Sequence, residues 1–395
     1  MKDTTIAVDL AKSVFQVAVS HKPGRVDAER RLSRDRFLEY LATQPPATVL
    51  LEACGSAHHW ARQLQPFGHT VRLLPAHDVH RYVRRNKTDR TDAKALLEAD
   101  RNEEIHAVPV KTIEQQSIAA LHRMRSTWLA TRTARINTVR GLLREFGMVI
   151  PVGAPHVVPH VRELLATSSH VPDVMRTSLS SACDEIETLE QHMGAVERQL
   201  TALARSRDDV KLLQTIPGVG LLTATALVAL VGDVRRFHSS REFASFLGLT
   251  PKEDSSALRR RLGAISKQGD AYLRMLLIHG ARSVLLRAHG AGDATAFQIW
   301  ARTTQQRRGH NVAAVAVANK LARIVWAVWR HQRPFAADYR STMTPRRPRP
   351  SRLTRRTAPS SRNDGAPVGP ARGDADNSRG PRGRCQRLAP RVRIP

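Results

Sequence analysis

The chain has 395 residues but only three cysteines, Cys54, Cys183 and Cys385, far apart and without metal-ligand spacing. That excludes a disulfide framework and a cysteine-held metal, and fits a reducing cytoplasm. Long apolar runs are also missing. The longest, residues 219–231, falls short of the about 20 residues a helix needs to cross a bilayer. Residues 1–5 lead into a strand-like segment without the apolar core of a signal peptide, so no membrane partner is expected. Acidic residues are scarce: 35 Asp and Glu face 63 Lys and Arg, a formal charge of +28 with a pI near 11.4. Such a charge argues against a small-metabolite enzyme and points to a polyanionic partner, most simply nucleic acid. A hydrophobic content of 41% leaves ample material for a core.

The composition divides the chain into three regions and a tail. Residues 1–108 read as α/β. Residues 5–10 and 14–19 form a strand hairpin, 48–52 and 69–74 are further strands, and 34–43 and 58–67 are helices. Residues 109–208 read as a helical hairpin. Its first arm is a basic helix over 114–146 carrying Arg123, Arg125, Arg132, Arg135, Arg140 and Arg144, and Pro151, Pro155 and Pro159 lie in the connection. In the second arm Leu179, Ala182, Ile186, Leu189, Met193, Val196, Leu200 and Leu203 alternate steps of three and four, a coiled-coil seam that could pair with a second chain. Residues 209–340 read as mainly helical with loops, and the apolar helix 221–231 follows Ile216-Pro217-Gly218-Val219-Gly220. Residues 341–395 hold 14 arginines, 9 prolines and 3 acids, so they supply +11 of the +28 and predict a disordered tail.

Four carboxylates stand out. Asp9 and Glu52 each end a strand, and Asp89 and Asp92 share one face of the helix that opens near Lys87-Thr88-Asp89. Each alone is an ordinary turn or helix-start residue. Converged in a strongly basic chain, four carboxylates predict a site for Mg²⁺ or Mn²⁺. Two such ions about 3.5–4 Å apart clamp the attacking and leaving oxygens of phosphoryl transfer.

Val8-Asp9, Leu51-Glu52-Ala53-Cys54-Gly55 and Lys87-Thr88-Asp89-Arg90-Thr91-Asp92-Ala93 resemble the N-terminal domain of the DEDD transposases, insertion-sequence recombinases whose RuvC-like domain has an RNase H fold. Ile216-Pro217-Gly218-Val219-Gly220, Phe246-Leu247-Gly248-Leu249-Thr250-Pro251, residues 262–270, Leu273-Arg274 and Ile278-His279-Gly280-Ala281-Arg282 resemble the same family's C-terminal transposase domain. The resemblance covers about residues 4–335 and implies an α/β RNase H-like, RuvC-like domain, a helical coiled-coil hairpin, and a mainly α transposase domain with a helix-hairpin-helix-like element. It implies that Asp9, Glu52, Asp89 and Asp92 hold the metal, and that a serine after the Gly-Leu-x-Pro element attacks a DNA phosphate to form a phosphoserine intermediate. Ser255 fits that serine, with Ser256 as the alternative; Ala257-Leu258 stand where the family usually has glycines.

The resemblance further implies double-stranded DNA at element ends and target as substrate, a structured noncoding bridge RNA as guide, a prokaryotic cytoplasmic setting, and a homo-oligomer, dimer or tetramer, in which Ser255 of one subunit works with acids of another. The six arginines of the basic helix are candidates for the RNA backbone, and Arg259, Arg260, Arg261 and Lys267 for DNA near the scissile bond. Trp326 and Trp329 read as core, and the His77/His80 and His156/His160 pairs as non-ligands. Two rivals compete with a transposase: a RuvC-like junction-resolving nuclease using water, and a non-catalytic nucleic-acid-binding remnant.

Overall fold

The computed structural model describes residues 4–23, 25–83, 89–168, 171–256, 259–288 and 295–337, and the side chains of Asp89 and Arg90 lie outside that description. So do residues 341–395, on which the expected tail falls.

The first region is a five-stranded sheet of β1 (Thr5–Leu10), β2 (Val14–Ser20), β3 (Ala28–Ser33), β4 (Thr48–Glu52) and β5 (Thr70–Leu74), in the order β3-β2-β1-β4-β5. β1 pairs antiparallel with β2 and parallel with β4; β2–β3 is antiparallel and β4–β5 parallel. This mixed sheet is consistent with an RNase H-like fold. β3 has no counterpart in the sequence reading, because its Ala-Glu-Arg-Arg-Leu-Ser is polar and mostly exposed on a sheet edge, where apolar alternation is not required. Helices α1 (Arg34–Ala42) and α2 (Ala57–Leu64) cover one face. There Ile6, Val8, Val49 and Leu51 meet Phe37, Leu41 and Trp60. Phe15, Phe37 and Trp60 pack edge to face at centroid distances of 4.9–5.3 Å. The short α3 (Ala76–Val79) and then α4 (Asp89–Asp100) lie on the other face, where Ala95, Leu96 and Ala99 rest on Ala7, Leu50 and Leu74.

Two 33-residue helices follow, α5 (Ile113–Glu145) and α7 (Asp173–Arg205), with α6 (Val157–Thr167) between them. Thr112 and Gln115 form a reciprocal capping box that starts α5. The ion pairs Arg125–Glu197, Arg132–Glu190 and Arg135–Glu185 run in opposite directions along the two helices, so α5 and α7 are antiparallel. The connection holds more order than its prolines suggest: Pro159 sits in the first turn of α6, where a missing N–H costs nothing. The seam of α7 also shifts at both ends. Cys183 and Ala204 are buried where Ala182 and Leu203 were expected, since a 3.6-residue turn drifts from a 3.5 repeat over this length.

The third region is built from α8 (Asp208–Gln214), α9 (Leu221–Val231), α10 (Ser240–Phe246), the hairpin β6 (Pro251–Glu253) and β7 (Leu262–Ile265), α11 (Ala271–Arg287), α12 (Ala296–Arg308) and α13 (His310–His331). Its core joins α9, α10, α11 and α13 and takes in Trp329. Trp326 packs against the same core and donates Nε1–H to the Phe237 carbonyl at 3.2 Å. α13 is long and apolar enough to span a bilayer by length and composition, but Ala314, Val317, Ala318, Leu321 and Val325 lie in this core. The sequence reading had no strands here; β6 and β7 are short and exposed, so they carry no apolar signature.

Two glycine crossings explain why the third region's motifs read as they do. Gly218, at φ +88°, lies against Gly280 of α11, and a Cβ on Gly280 would collide with the Gly218 carbonyl oxygen. Gly248, at φ +67°, lies so close to the backbone of Lys267 and Gln268 that a side chain there has no room. The Pro-Gly-Val-Gly turn is thereby tied to α11, and the Gly-Leu-Thr-Pro turn to the far side of the β6–β7 hairpin.

Candidate active site

The pleat of the sheet assigns the acids to a face. Side chains two residues apart on a strand share a face. Asp9 therefore lies on the side of Ala7, and Glu52 on the side of Leu50, which is the side covered by α4. The β1–β4 pairing runs to Val8 opposite Leu51, so Asp9 and Glu52 are the next pair, on adjacent parallel strands about 4.8 Å apart. On α4, Asp92 precedes Ala95 and Leu96 by three and four residues, which turns it toward the same sheet face. Asp92 is half-buried, and its Oδ1 is shielded from solvent without a hydrogen-bond partner.

The residues fit a hard cation. The donors are all carboxylate oxygens, and a buried, unpartnered carboxylate oxygen is an atom that a divalent ion would satisfy. Among the described residues no three His, Cys, Asp or Glu side chains close on one point. Asp89, the fourth carboxylate, has its backbone in the first turn of α4 and its side chain outside the description.

Ser255 stands on a different core, just past β6. Its hydroxyl donates to Glu253 Oε1 at 2.9 Å and accepts the Arg261 backbone N–H at 3.1 Å. Arg260 Nε donates to the same Glu253 oxygen at 3.1 Å. These two bonds hold the Glu253 carboxyl below its usual range, the Ser255 bond contributing most. Ser256 is tied through its backbone, exchanging N–H and C=O with Arg259 at 3.2 and 2.9 Å. Ala257 and Leu258 lie outside the described residues. Arg259, Arg260, Arg261 and Lys267 are all exposed around this hairpin. Lys267 is one of two non-glycine residues at positive φ, +57°, among the described residues. Glu253 had no part in the sequence reading. The only available signal was its place two residues before the serine, which puts both side chains on one face of an extended segment.

The basic helix is used differently along its length. Arg125, Arg132 and Arg135 pair with acids of α7, and Arg140 donates to the carbonyls of Pro151 and Gly153 at 2.8 and 2.9 Å. Arg123 and Arg144 point to solvent. At the base of the helix, buried His122 lies 3.0 Å from both Tyr272 Oη and Thr225 Oγ1. Burial, with a smaller contribution from the Arg125 charge, pushes its pKa down to about 4.

A mixed α/β domain followed by a helical region is the organisation that the resemblance to an insertion-sequence transposase implies. The comparisons agree. Residues 6–148 match the model of a DEDD transposase domain, and residues 210–298 match that described as "Transposase IS116/IS110/IS902 family". The chain is 42% identical over 330 residues to a Pseudomonas aeruginosa protein named "Probable family 20 transposase", covering 83% of this chain and 97% of that one. It is 38% identical over 337 residues to the transposase for insertion sequence element IS1111A of Coxiella burnetii, covering 85% and 92%. It is 34% identical over 330 residues to the transposase for insertion sequence element IS1328 of Yersinia enterocolitica, covering 82% and 96%. The chain belongs to the IS110/IS116/IS902 family of transposases: it is a DNA recombinase that moves an insertion sequence.

Proposed function

We propose that the protein recombines DNA through a site made of two parts, with Ser255 as the nucleophile and Asp9, Glu52, Asp89 and Asp92 as holders of Mg²⁺ or Mn²⁺. The observation that carries this reading is the shared placement of Asp9, Glu52 and Asp92 on the α4 face of the sheet, with a buried Asp92 oxygen left unpartnered. When bound, a divalent ion polarises a phosphate and neutralises the charge that develops on it. The chain's own groups do the rest. The acids place the ion at the strand ends, Ser255 supplies the attacking oxygen, and Arg259, Arg260, Arg261 and Lys267 hold the DNA backbone beside it. Ser255 is preferred to Ser256 because its hydroxyl is already oriented by two hydrogen bonds.

The finer family features belong to the same proposal. The sheet domain is RuvC-like, and α8, the Pro-Gly turn and α9 act as a helix-hairpin-helix-like grip on phosphate. A structured bridge RNA guides the choice of DNA and meets the basic helical hairpin. Two or four subunits assemble through the coiled-coil arms, so that the serine of one works with the acids of another. These rest on the family resemblance and on the +17 that remains without residues 341–395.

The test is amplification of the abutted-ends junction left by excision, in cells carrying the gene with its native flanks. Junctions made by the wild type and lost in Asp9→Ala and Ser255→Ala support the two-part site. Junctions that persist in Ser255→Ala and vanish in Ser256→Ala move the nucleophile by one residue. Cleavage without any protein–DNA adduct would favour the water-using nuclease, and binding without cleavage the non-catalytic remnant.

A further inference from the structure

We propose that Glu253 is the proton acceptor that readies Ser255 for attack. This rests on the reading of Ser255 as nucleophile and adds a residue that the family resemblance did not supply.

The hydroxyl of Ser255 has one proton and two lone pairs. Its hydrogen bond to Glu253 Oε1 at 2.9 Å commits the proton to the carboxylate, and the Arg261 N–H at 3.1 Å occupies one lone pair. The remaining lone pair is the one free to attack, so the rotor is fixed in a productive orientation before DNA arrives. The hydroxyl accepts one hairpin backbone N–H, but its donor bond goes to a side chain. Arg260 Nε, at 3.1 Å from the same carboxylate oxygen, keeps Glu253 ionised and in place. The bonds from Ser255, chiefly, and Arg260 lower the carboxyl pKa, so Glu253 takes the proton late, once the new bond to phosphorus has made the hydroxyl strongly acidic.

The step balances without a further reactant. The Ser255 proton passes to Glu253, the serine oxygen bonds to the phosphorus of a phosphodiester, and the bond from phosphorus to one sugar oxygen breaks. That oxygen takes a proton from water and leaves as a hydroxyl. In the return step a sugar hydroxyl attacks the phosphoserine and gives its proton to the hydroxide that the first step left from water. The serine oxygen–phosphorus bond breaks, and Glu253 gives its proton back to the serine oxygen.

The experiment measures the rate at which full-length protein, purified from cells carrying the element with its native flanks, forms a covalent adduct with a duplex of the element end. Rates are taken against pH for wild type, Glu253→Gln, Glu253→Asp and Ser255→Ala, with thermal stability and DNA retention as controls. Glu253→Gln keeps the shape and the hydrogen bond but cannot take the proton. Its rate should fall about 10²–10⁴-fold near neutral pH and then climb about tenfold per pH unit as hydroxide substitutes, while wild type stays flat between about pH 6 and 8 and Glu253→Asp recovers part of the rate. A Glu253→Gln protein with the wild-type rate, beside a dead Ser255→Ala, overturns the role of Glu253 and leaves the serine standing. A slow Glu253→Gln that keeps the flat wild-type profile, with no recovery in Glu253→Asp, makes Glu253 merely structural and also overturns it. An adduct that persists in Ser255→Ala overturns the reading beneath it.

Discussion

Asp9 and Glu52 end neighbouring parallel strands, one residue beyond the Val8–Leu51 pair and on the sheet face that α4 covers. Like charges on neighbouring strand ends repel, so a cation bound there, as proposed, would stabilise the site.

The first prediction follows from that repulsion. Asp9→Asn and Glu52→Gln should reduce excision by at least about 10²-fold, and Glu52→Gln should leave the melting temperature unchanged or slightly raised, since it removes a like charge. Added Mg²⁺ should raise the melting temperature of the wild type, and chelation should reverse it, by the mass-action stabilisation of a bound ligand. Asp9→Asn should show neither response. Differential scanning calorimetry with and without Mg²⁺ checks both.

The Gly218–Gly280 crossing predicts a steric penalty. Ala is the better helix former, yet Gly280→Ala places a methyl group against the Gly218 carbonyl oxygen within α11. Destabilisation of about 1–3 kcal/mol is expected, read as a lower urea midpoint, because the two backbones must separate to admit the carbon. Gly141, with nothing within 4 Å of its Cβ position, is the control, and Gly141→Ala should stabilise slightly.

His122 predicts an acid-sensitive joint between α5, α9 and α11. Its pKa is held near 4 in the folded chain, against 6.5 for the free side chain. The unfolded chain therefore takes up a proton that the folded chain refuses, and stability falls as pH drops from 6.5 toward 4, by up to about 3 kcal/mol. His58 carries the same depression, to about 4, mainly from burial, and acts in the same direction. Unfolding measured across that window should lose about half of its pH slope in His122→Gln.

The arginines of the basic helix should separate into two groups. Arg132→Ala breaks the ion pair with Glu190, which is partly exposed, so it should cost at most about 1 kcal/mol of stability and, if the proposed RNA binding holds, leave its salt slope unchanged. Arg123→Ala with Arg144→Ala should leave stability alone. If these two meet the RNA backbone, the slope of log affinity against log salt falls by about 1.5. Filter binding at several salt concentrations distinguishes the groups.

How much of this was legible in the residues depends on where each signal lay. The strands of the sheet interior were readable because Thr-Ile-Ala-Val-Asp-Leu and Thr-Val-Leu-Leu-Glu are buried on both faces and therefore continuously apolar. β3 and the β6–β7 hairpin were not, since exposed short strands have no reason to be apolar. Asp9, Glu52 and Asp92 could be assigned to one face of the sheet because strand ends and helix spacing are local properties, but among the described residues no three such side chains close on one point. The Arg125–Glu197 pair and its neighbours could not, because they depend on the register between two helices some 70 residues apart in the chain, and the six arginines look alike in sequence. Glu253 was hidden for another reason: a single acid beside a loop serine acquires meaning only when its oxygen is found 2.9 Å away.

The most direct measurement of the central claim is to trap the protein on a nicked duplex of the element end, digest it, and map the attached nucleotide by mass spectrometry. The account predicts the nucleotide on the hydroxyl of Ser255 in the wild type, none in Asp9→Asn, and recovery when an Asp9→Asn chain is mixed with a Ser255→Ala chain. A nucleotide on any other residue, or an undiminished Ser255 adduct in Asp9→Asn, would contradict it.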